Sequence, residues 1–232
     1  MGNETDWHST QNAAYLDLLE SRLSEPRLHW VDQFIEIVNR EVADGGLRGQ
    51  SPISINDYGC NVGHFFRGIE DIECAVRYRG FDISDTYLTI ARRVFGRDHF
   101  HHLNIEQSPM NAAWAKSDVA VISATLEHVE NYSRALKNIF SQTKALVIIR
   151  TFVGNVSLMD RCRTIGANSD FIVRQFTVDD LVKIPLELGW DYRQEIDHAT
   201  LGRSKMVCNG TSLPRAQAVI VFTNSERSDF PG

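Results

Sequence analysis

Ile55-Asn56-Asp57-Tyr58-Gly59-Cys60-Asn61-Val62-Gly63-His64-Phe65 is the stretch on which the fold turns. Its first half continues a β-like apolar run that begins at Ile53, and a helical pattern over 64–72 follows it. The two glycines therefore fall on a strand-to-helix turn. Glycine lets the backbone approach a ligand closely, and the amides that open a helix offer unpaired donors. A dinucleotide fingerprint would read G-x-G-x-x-G. Here Gly59 and Gly63 flank Asn61, and an acid, Asp57, stands two residues before the first glycine, which weakens a pyrophosphate reading. Asparagine is among the few other residues that tolerate left-handed backbone angles, so Asn61 can fill a position usually given to glycine. Taken alone, the turn is either a cofactor cradle or a tight structural turn.

Outward from this turn, strand-like runs fall at 53–58, 76–82, 100–104, 118–123, 145–151, 191–196 and 216–223. Helical patterns lie between them at 84–95, 131–141 and 177–188. Ser84 and Thr177 are candidate N-caps, the latter supported by Asp180 three residues on. Such alternation predicts an α/β protein with a mostly parallel sheet and helices on both faces. The stretch 197–215 is turn-rich (Gly202, Asn209-Gly210, Pro214), so the last strand is expected to return antiparallel. Upstream, apolar positions at helical spacing over 11–43, interrupted by Pro26, read as two helices. The domain division is a helical cap over 1–52 and an α/β domain over 53–232.

The chain has 232 residues, 43% hydrophobic and 23% charged, which suits one globular domain. A net charge of -6 argues against a general electrostatic grip on nucleic acid. No apolar run is long enough to span a bilayer, and the first twenty residues are polar where a signal peptide would be apolar, so a cytoplasmic protein without a membrane partner is expected. The four cysteines, Cys60, Cys74, Cys162 and Cys208, are far apart and read as free thiols. No metal site is expected: in Asp98-His99-Phe100-His101-His102, a strand would put His99 and His101 on one face and His102 on the other.

Asp82 ends the second strand in Arg79-Gly80-Phe81-Asp82-Ile83-Ser84, 25 residues after Asp57. Doubly wound folds place there an acid that accepts hydrogen bonds from ribose hydroxyls; otherwise the residue merely ends a strand and starts a helix. The D-x-G-x-N-x-G pattern over Asp57, Gly59, Cys60, Asn61 and Gly63 resembles motif I of the class I S-adenosylmethionine-dependent methyltransferases, in its asparagine variant. The resemblance covers roughly 53–223 and rests on the order and spacing of its motifs. It implies a Rossmann-like, seven-stranded sheet of order 3-2-1-4-5-7-6 and S-adenosylmethionine as cofactor. It also implies that the Gly-rich loop wraps the amino acid part of the cofactor. Asp57 would orient the loop or reach the methionine amino group, Ile83 would lie against adenine, and Asn104 with Ile105 would face that ring. The fourth strand, ending at Ser123, leads into Glu127-His128. That pair resembles the motif of methyltransferases acting on small molecules, lipids and sugars.

If the acceptor is a hydroxyl or an amine, a base is needed. His128 is the candidate because imidazole titrates near neutral pH, with Glu127 as the alternative, although His128 could equally pack beneath the loop. The segment of about 25 residues at 152–176 is longer than typical connections and is expected to shape an acceptor site. It carries Arg161, Arg163 and Arg174, with Arg150 just before it. Guanidinium forks match carboxylate and phosphate, so a small anionic acceptor is expected, unless these arginines simply face solvent. An NAD(P)-dependent oxidoreductase and a non-catalytic cofactor-binding subunit are the rival readings.

Overall fold

The computed structural model describes residues 13–47, 51–107, 116–163, 170–206 and 214–224. Two helices, α1 (Ala13–Ser21) and α2 (His29–Ala43), lead into β1 (Ile53–Tyr58). Then come β2 (Val76–Asp82), α3 (Asp85–Phe95), β3 (Phe100–His102), β4 (Ser117–Ser123), α4 (Tyr132–Ser141) and β5 (Thr143–Phe152). The chain continues through β6 (Leu158–Arg163), β7 (Asp170–Gln175), α5 (Val178–Glu187), β8 (Trp190–Ile196) and β9 (Gln217–Asn224).

Seven strands form one sheet in the order β3-β2-β1-β4-β5-β9-β8. The first five pair in parallel, and β9 runs antiparallel to both of its neighbours. Counted within the sheet, this is the expected 3-2-1-4-5-7-6 order. Alternate residues of single strands feed two cores: Val119 and Val121 of β4 pack on the α2 face, while Ala120 and Ile122 pack on the α4 and α5 face. Both faces are thus covered, which is what continuous apolar strands require. α2 contributes Val31, Phe34, Ile35, Ile37 and Val38 to the first of these cores.

The caps follow the sequence. The Ser84 hydroxyl accepts from the Tyr87 amide, and Thr177 with Asp180 forms a reciprocal capping box at the start of α5. The expected helix over 64–72 is instead a run of turns followed by a 3-10 helix, Phe66–Asp71. Gly68 within it weakens the α-helical preference, and short 3-10 pieces serve as connectors. Within 152–176, where no strand was expected, β6 and β7 pair as an antiparallel hairpin, with Cys162 and Val173 buried against Phe152. Cys162, read as a free thiol, is disulfide-bonded, whereas Cys60 and Cys74 are free. Separation along the chain says nothing about cysteines that only the fold brings together. Cys208 lies outside the described residues.

Candidate functional site

In a doubly wound sheet, ligands bind beyond the carboxyl ends of the strands where the strand order reverses. Here that point lies between β1 and β4. A cleft of about 520 Å³ opens there, within the range of cofactor sites.

The turn after β1 forms one wall. Gly59, Asn61 and Gly63 have φ of 77°, 53° and 91°, so Asn61 does take the left-handed conformation. The amides of Gly59 and Cys60 both donate to the Phe81 carbonyl at 2.7 and 2.9 Å, which ties the turn to β2. A side chain at Gly59 would run into Thr125, and one at Gly63 would meet Phe95 and Phe100. Gly63 accordingly serves packing and does not itself line the cleft, whereas Asp57, Gly59, Cys60 and Asn61 do.

Asp57 and Asp82 stand side by side at the base of this wall, and both are buried. The Tyr78 hydroxyl donates to Asp57 at 2.7 Å. Burial pushes the Asp57 carboxyl up to about 7, against the Tyr78 hydrogen bond and with the help of the nearby Asp82 charge. Asp82 takes the Asn61 amide on one oxygen at 2.9 Å and the Ser84 amide on the other at 2.8 Å. Burial raises its pKa too, opposed by those amides. Among the described residues, no lysine or arginine forms an ion pair with either acid. Ile83, Asn104 and Ile105 continue the lining past Asp82.

The opposite wall follows β4. Ser123, Ala124 and Thr125 line it, with Ala124 at φ 52°, a strained angle for an L residue of the kind that clusters at functional sites. A 3-10 turn, Leu126–His128, then presents His128 to the cleft. The His128 Nδ1 lies 2.7 Å from the Ile172 carbonyl of β7. A carbonyl only accepts, so the proton sits on Nδ1, and in the neutral ring Nε2 carries the lone pair. Glu127 points elsewhere: it is buried, accepts from the Thr151 hydroxyl at 2.8 Å and does not line the cleft.

Of the four arginines expected to hold an acceptor, Arg150 alone reaches the cleft. Its Nε and one Nη grip Asp197 at 2.7 and 3.3 Å, and the same Nη donates to Gln217 at 2.6 Å. Burial works against ionising Asp197, but Arg150 holds its carboxyl below the usual range. The other Nη faces Ser123. Arg174 lies over the Tyr132 and Phe176 rings and donates to the Glu130 carbonyl. Arg161 is exposed on the hairpin, away from the cleft, and the Arg163 side chain lies outside the described residues.

The cleft also collects residues that motif reading did not single out: Arg22, Trp30, His64 and Thr125. His64 is buried, and burial together with the charges of Arg22 and Arg67 lowers its pKa to about 4. A polar ring between apolar Val62 and Phe65, directly after the last glycine, was the available signal. Arg22 and Trp30 carried none, because only the fold brings α1 and α2 to the turn. No group of His, Cys, Asp or Glu among the described residues could hold a metal, and none of the described helices is long and apolar enough to cross a membrane.

Comparison with known proteins agrees with this architecture. A solved magnesium protoporphyrin IX methyltransferase from Synechocystis, with bound S-adenosylmethionine, is 17% identical at a TM-score of 0.54, covering 89% of this chain and 81% of that one. DhpI, solved in a complex with S-adenosylmethionine and HEP, is 14% identical at a TM-score of 0.58, covering 96% and 99%. An S-adenosylmethionine-dependent methyltransferase from Clostridium acetobutylicum is 10% identical at a TM-score of 0.58, covering 91% and 98%. At these identities the likeness speaks for the fold. None of the curated proteins matches. The family model described as "Methyltransferase domain" matches residues 29–195, from the start of α2 into β8. With most of its length matched, the chain belongs to the methyltransferase-domain family, whose S-adenosylmethionine-dependent members its Gly59-Asn61-Gly63 turn resembles.

Proposed function

We propose that this protein transfers the methyl group of S-adenosylmethionine to an oxygen or nitrogen of a small anionic acceptor, such as a carboxylated metabolite or a phosphorylated sugar precursor. The observation that carries this reading is the pair of buried acids, Asp57 and Asp82, on one wall of a cleft whose other wall presents His128. Buried carboxylates without a cationic partner suit a ligand that brings donors and positive charge. Asp57 takes the ammonium group of the methionine part, and Asp82 takes the ribose hydroxyls. No glycine-rich pyrophosphate clamp is built here, which disfavours the oxidoreductase alternative.

When bound, the cofactor supplies an electrophilic methyl group on a sulfonium. The protein's share is alignment, exclusion of water and handling of one proton. His128, with Nδ1 committed to Ile172, offers Nε2 to the acceptor's hydroxyl or amine as the methyl carbon bonds to it. Arg150, held by Asp197 and Gln217, turns its remaining Nη toward an anionic group of the acceptor. The hairpin thus serves the site through the Ile172 backbone that fixes His128, and Arg161 and Arg174 stand back from it.

The test is calorimetry with S-adenosylhomocysteine and with NAD, followed by incubation with S-adenosylmethionine and a panel of carboxylated and phosphorylated hydroxy and amino compounds. Binding of S-adenosylhomocysteine, and its release as a product only when an acceptor is present, is the expected result. His128→Ala should then lower kcat by about 10²- to 10⁴-fold while leaving S-adenosylhomocysteine affinity unchanged. Binding of NAD alone would overturn the reading.

Asp57 adds a pH dependence. Its carboxyl titrates near 7 in the folded protein and near 3.8 when unfolded, so the empty folded protein keeps a proton that the unfolded chain releases. That contribution to stability is full below 3.8 and is lost as pH rises through about 7. Binding an ammonium requires the ionised form. S-adenosylhomocysteine affinity should therefore climb about tenfold per pH unit up to about 7 and then level off, with proton release measurable in buffers of different ionisation enthalpy. An affinity flat from pH 5 to 8 would separate Asp57 from the amino group.

A further inference from the structure

Beyond the two acids, the cleft has a basic end that no motif assigns. His64 is 7% exposed and lines the cleft, yet neither ring nitrogen has a hydrogen-bond partner. Buried polar atoms are almost always satisfied, so two orphaned nitrogens in a cleft wall call for a ligand. Arg22, just after α1, lines the same cleft. Among the described residues no carboxylate pairs with it, whereas Glu20, two residues earlier, is taken by Arg93. Its position is fixed: Arg67 donates to the carbonyls of Arg22 and Glu25 at 2.9 and 2.8 Å, binding the segment after α1 to the body of the domain.

Resting on the assignment of the cleft to S-adenosylmethionine, we propose that Arg22 and His64 form a carboxylate site for the α-carboxylate of the cofactor. The argument is one of charge and connectivity. The α-ammonium and α-carboxylate share one carbon, so the groups that hold them must line the same end of the cleft. Asp57 precedes the turn that His64 closes, seven residues later. Acids on one side of that end and an arginine with a neutral imidazole on the other are complementary to an amino acid zwitterion. Arg22 supplies charge and a fork, and His64 supplies a ring N–H without adding a second buried charge. Because Arg22 belongs to the segment after α1, the leading helix then takes part in recognising the cofactor.

The experiment compares S-adenosylhomocysteine with its decarboxylated analogue, which keeps the amine, on the full chain and on Arg22→Gln and His64→Leu. Wild type should prefer S-adenosylhomocysteine at least tenfold. Both variants should lose at least tenfold in affinity for it while binding the analogue within twofold of wild type. His64→Leu should also melt at or above the wild-type temperature, since it removes unsatisfied buried nitrogens; a merely structural histidine would give the opposite. Variants that keep the wild-type preference overturn the assignment, and so does unchanged S-adenosylhomocysteine affinity, the pattern expected if the carboxylate belonged to the acceptor. Failure of wild type to bind either ligand would instead remove the cofactor reading beneath it.

Discussion

Gly59→Ala should abolish measurable S-adenosylhomocysteine binding, a loss of at least a hundredfold, in a protein that still folds. Two independent costs meet at this residue. Its φ of 77° is a left-handed angle that costs an L residue about 1–2 kcal/mol. A Cβ there would also lie 2.0 Å from the Thr125 hydroxyl oxygen and 2.7 Å from the Thr125 Cβ. Thr125 cannot swing aside without cost, because its hydroxyl donates to the Ser123 carbonyl at 3.1 Å. Relief must come from shifting the turn or the wall opposite, and both line the cleft. The costs can be separated. Thr125→Gly in the Gly59→Ala background removes the overlap and should recover part of the binding, the remainder being the backbone angle. Asn61→Gly, at φ 53°, should bind within a few fold of wild type, since glycine takes that angle freely and only the Asn61 hydrogen bond to the Val62 amide is lost. Wild-type affinity in a folded Gly59→Ala protein would show that this turn does not contact the cofactor.

How far the molecule could be read from its sequence depended on whether the decisive interaction was local. β1 and β2 fall at 53–58 and 76–82 as the sequence reading placed them, and the near-continuous apolar signal of strands buried on both faces is carried by β4 and β5. The Thr177 capping box was legible because all of its partners lie within one turn. The hairpin was not. Leu158-Met159-Asp160-Arg161-Cys162-Arg163 carries charges at 160, 161 and 163, and charge reads as loop. In the fold, Cys162 turns into a small core, while Asp160 finds Arg215, from across the 197–215 connection. Side-chain alternation along β6 leaves Arg161 exposed on the face opposite Cys162, away from the cleft that Arg150 lines. Conversely, Arg150 sits mid-strand in an apolar run and is held at the cleft by Asp197 and Gln217, partners some 50 to 70 residues away along the chain. Asp57 and Asp82 were found by spacing, because successive βα units fix where strands end. Arg22 was not, because a basic residue after a leading helix has no spacing rule to the turn it will cover, and His64, though directly after Gly63, fits no position of the motif.

Asp82→Ala should weaken S-adenosylhomocysteine binding by between ten- and a hundredfold, more than a ribose contact alone would explain. The carboxylate does two things at once. It anchors the Asn61 amide of the turn and the Ser84 amide that opens α3, and it lines the cleft. A carboxylate can accept about four hydrogen bonds, so the two roles do not compete. Each hydrogen bond to a charged acceptor is worth about 1.5–3 kcal/mol, and alanine leaves the amides of Asn61 and Ser84 without a partner. Asp82→Asn should fare little better. Its single carbonyl oxygen can take one of the two amides, and the NH₂ group then confronts the other, donor against donor. A ligand change isolates the ribose share: 2′-deoxy-S-adenosylhomocysteine should bind wild type several-fold more weakly than the parent, but bind Asp82→Ala about as weakly as the parent does, since the hydroxyl's acceptor is already gone. If the deoxy ligand loses the same factor in both proteins, the ribose is held elsewhere and Asp82 acts only through the turn. If a folded Asp82→Ala protein binds the parent ligand normally, Asp82 supports neither the turn nor the ribose in the bound state, and the cofactor must lie differently across the strand ends.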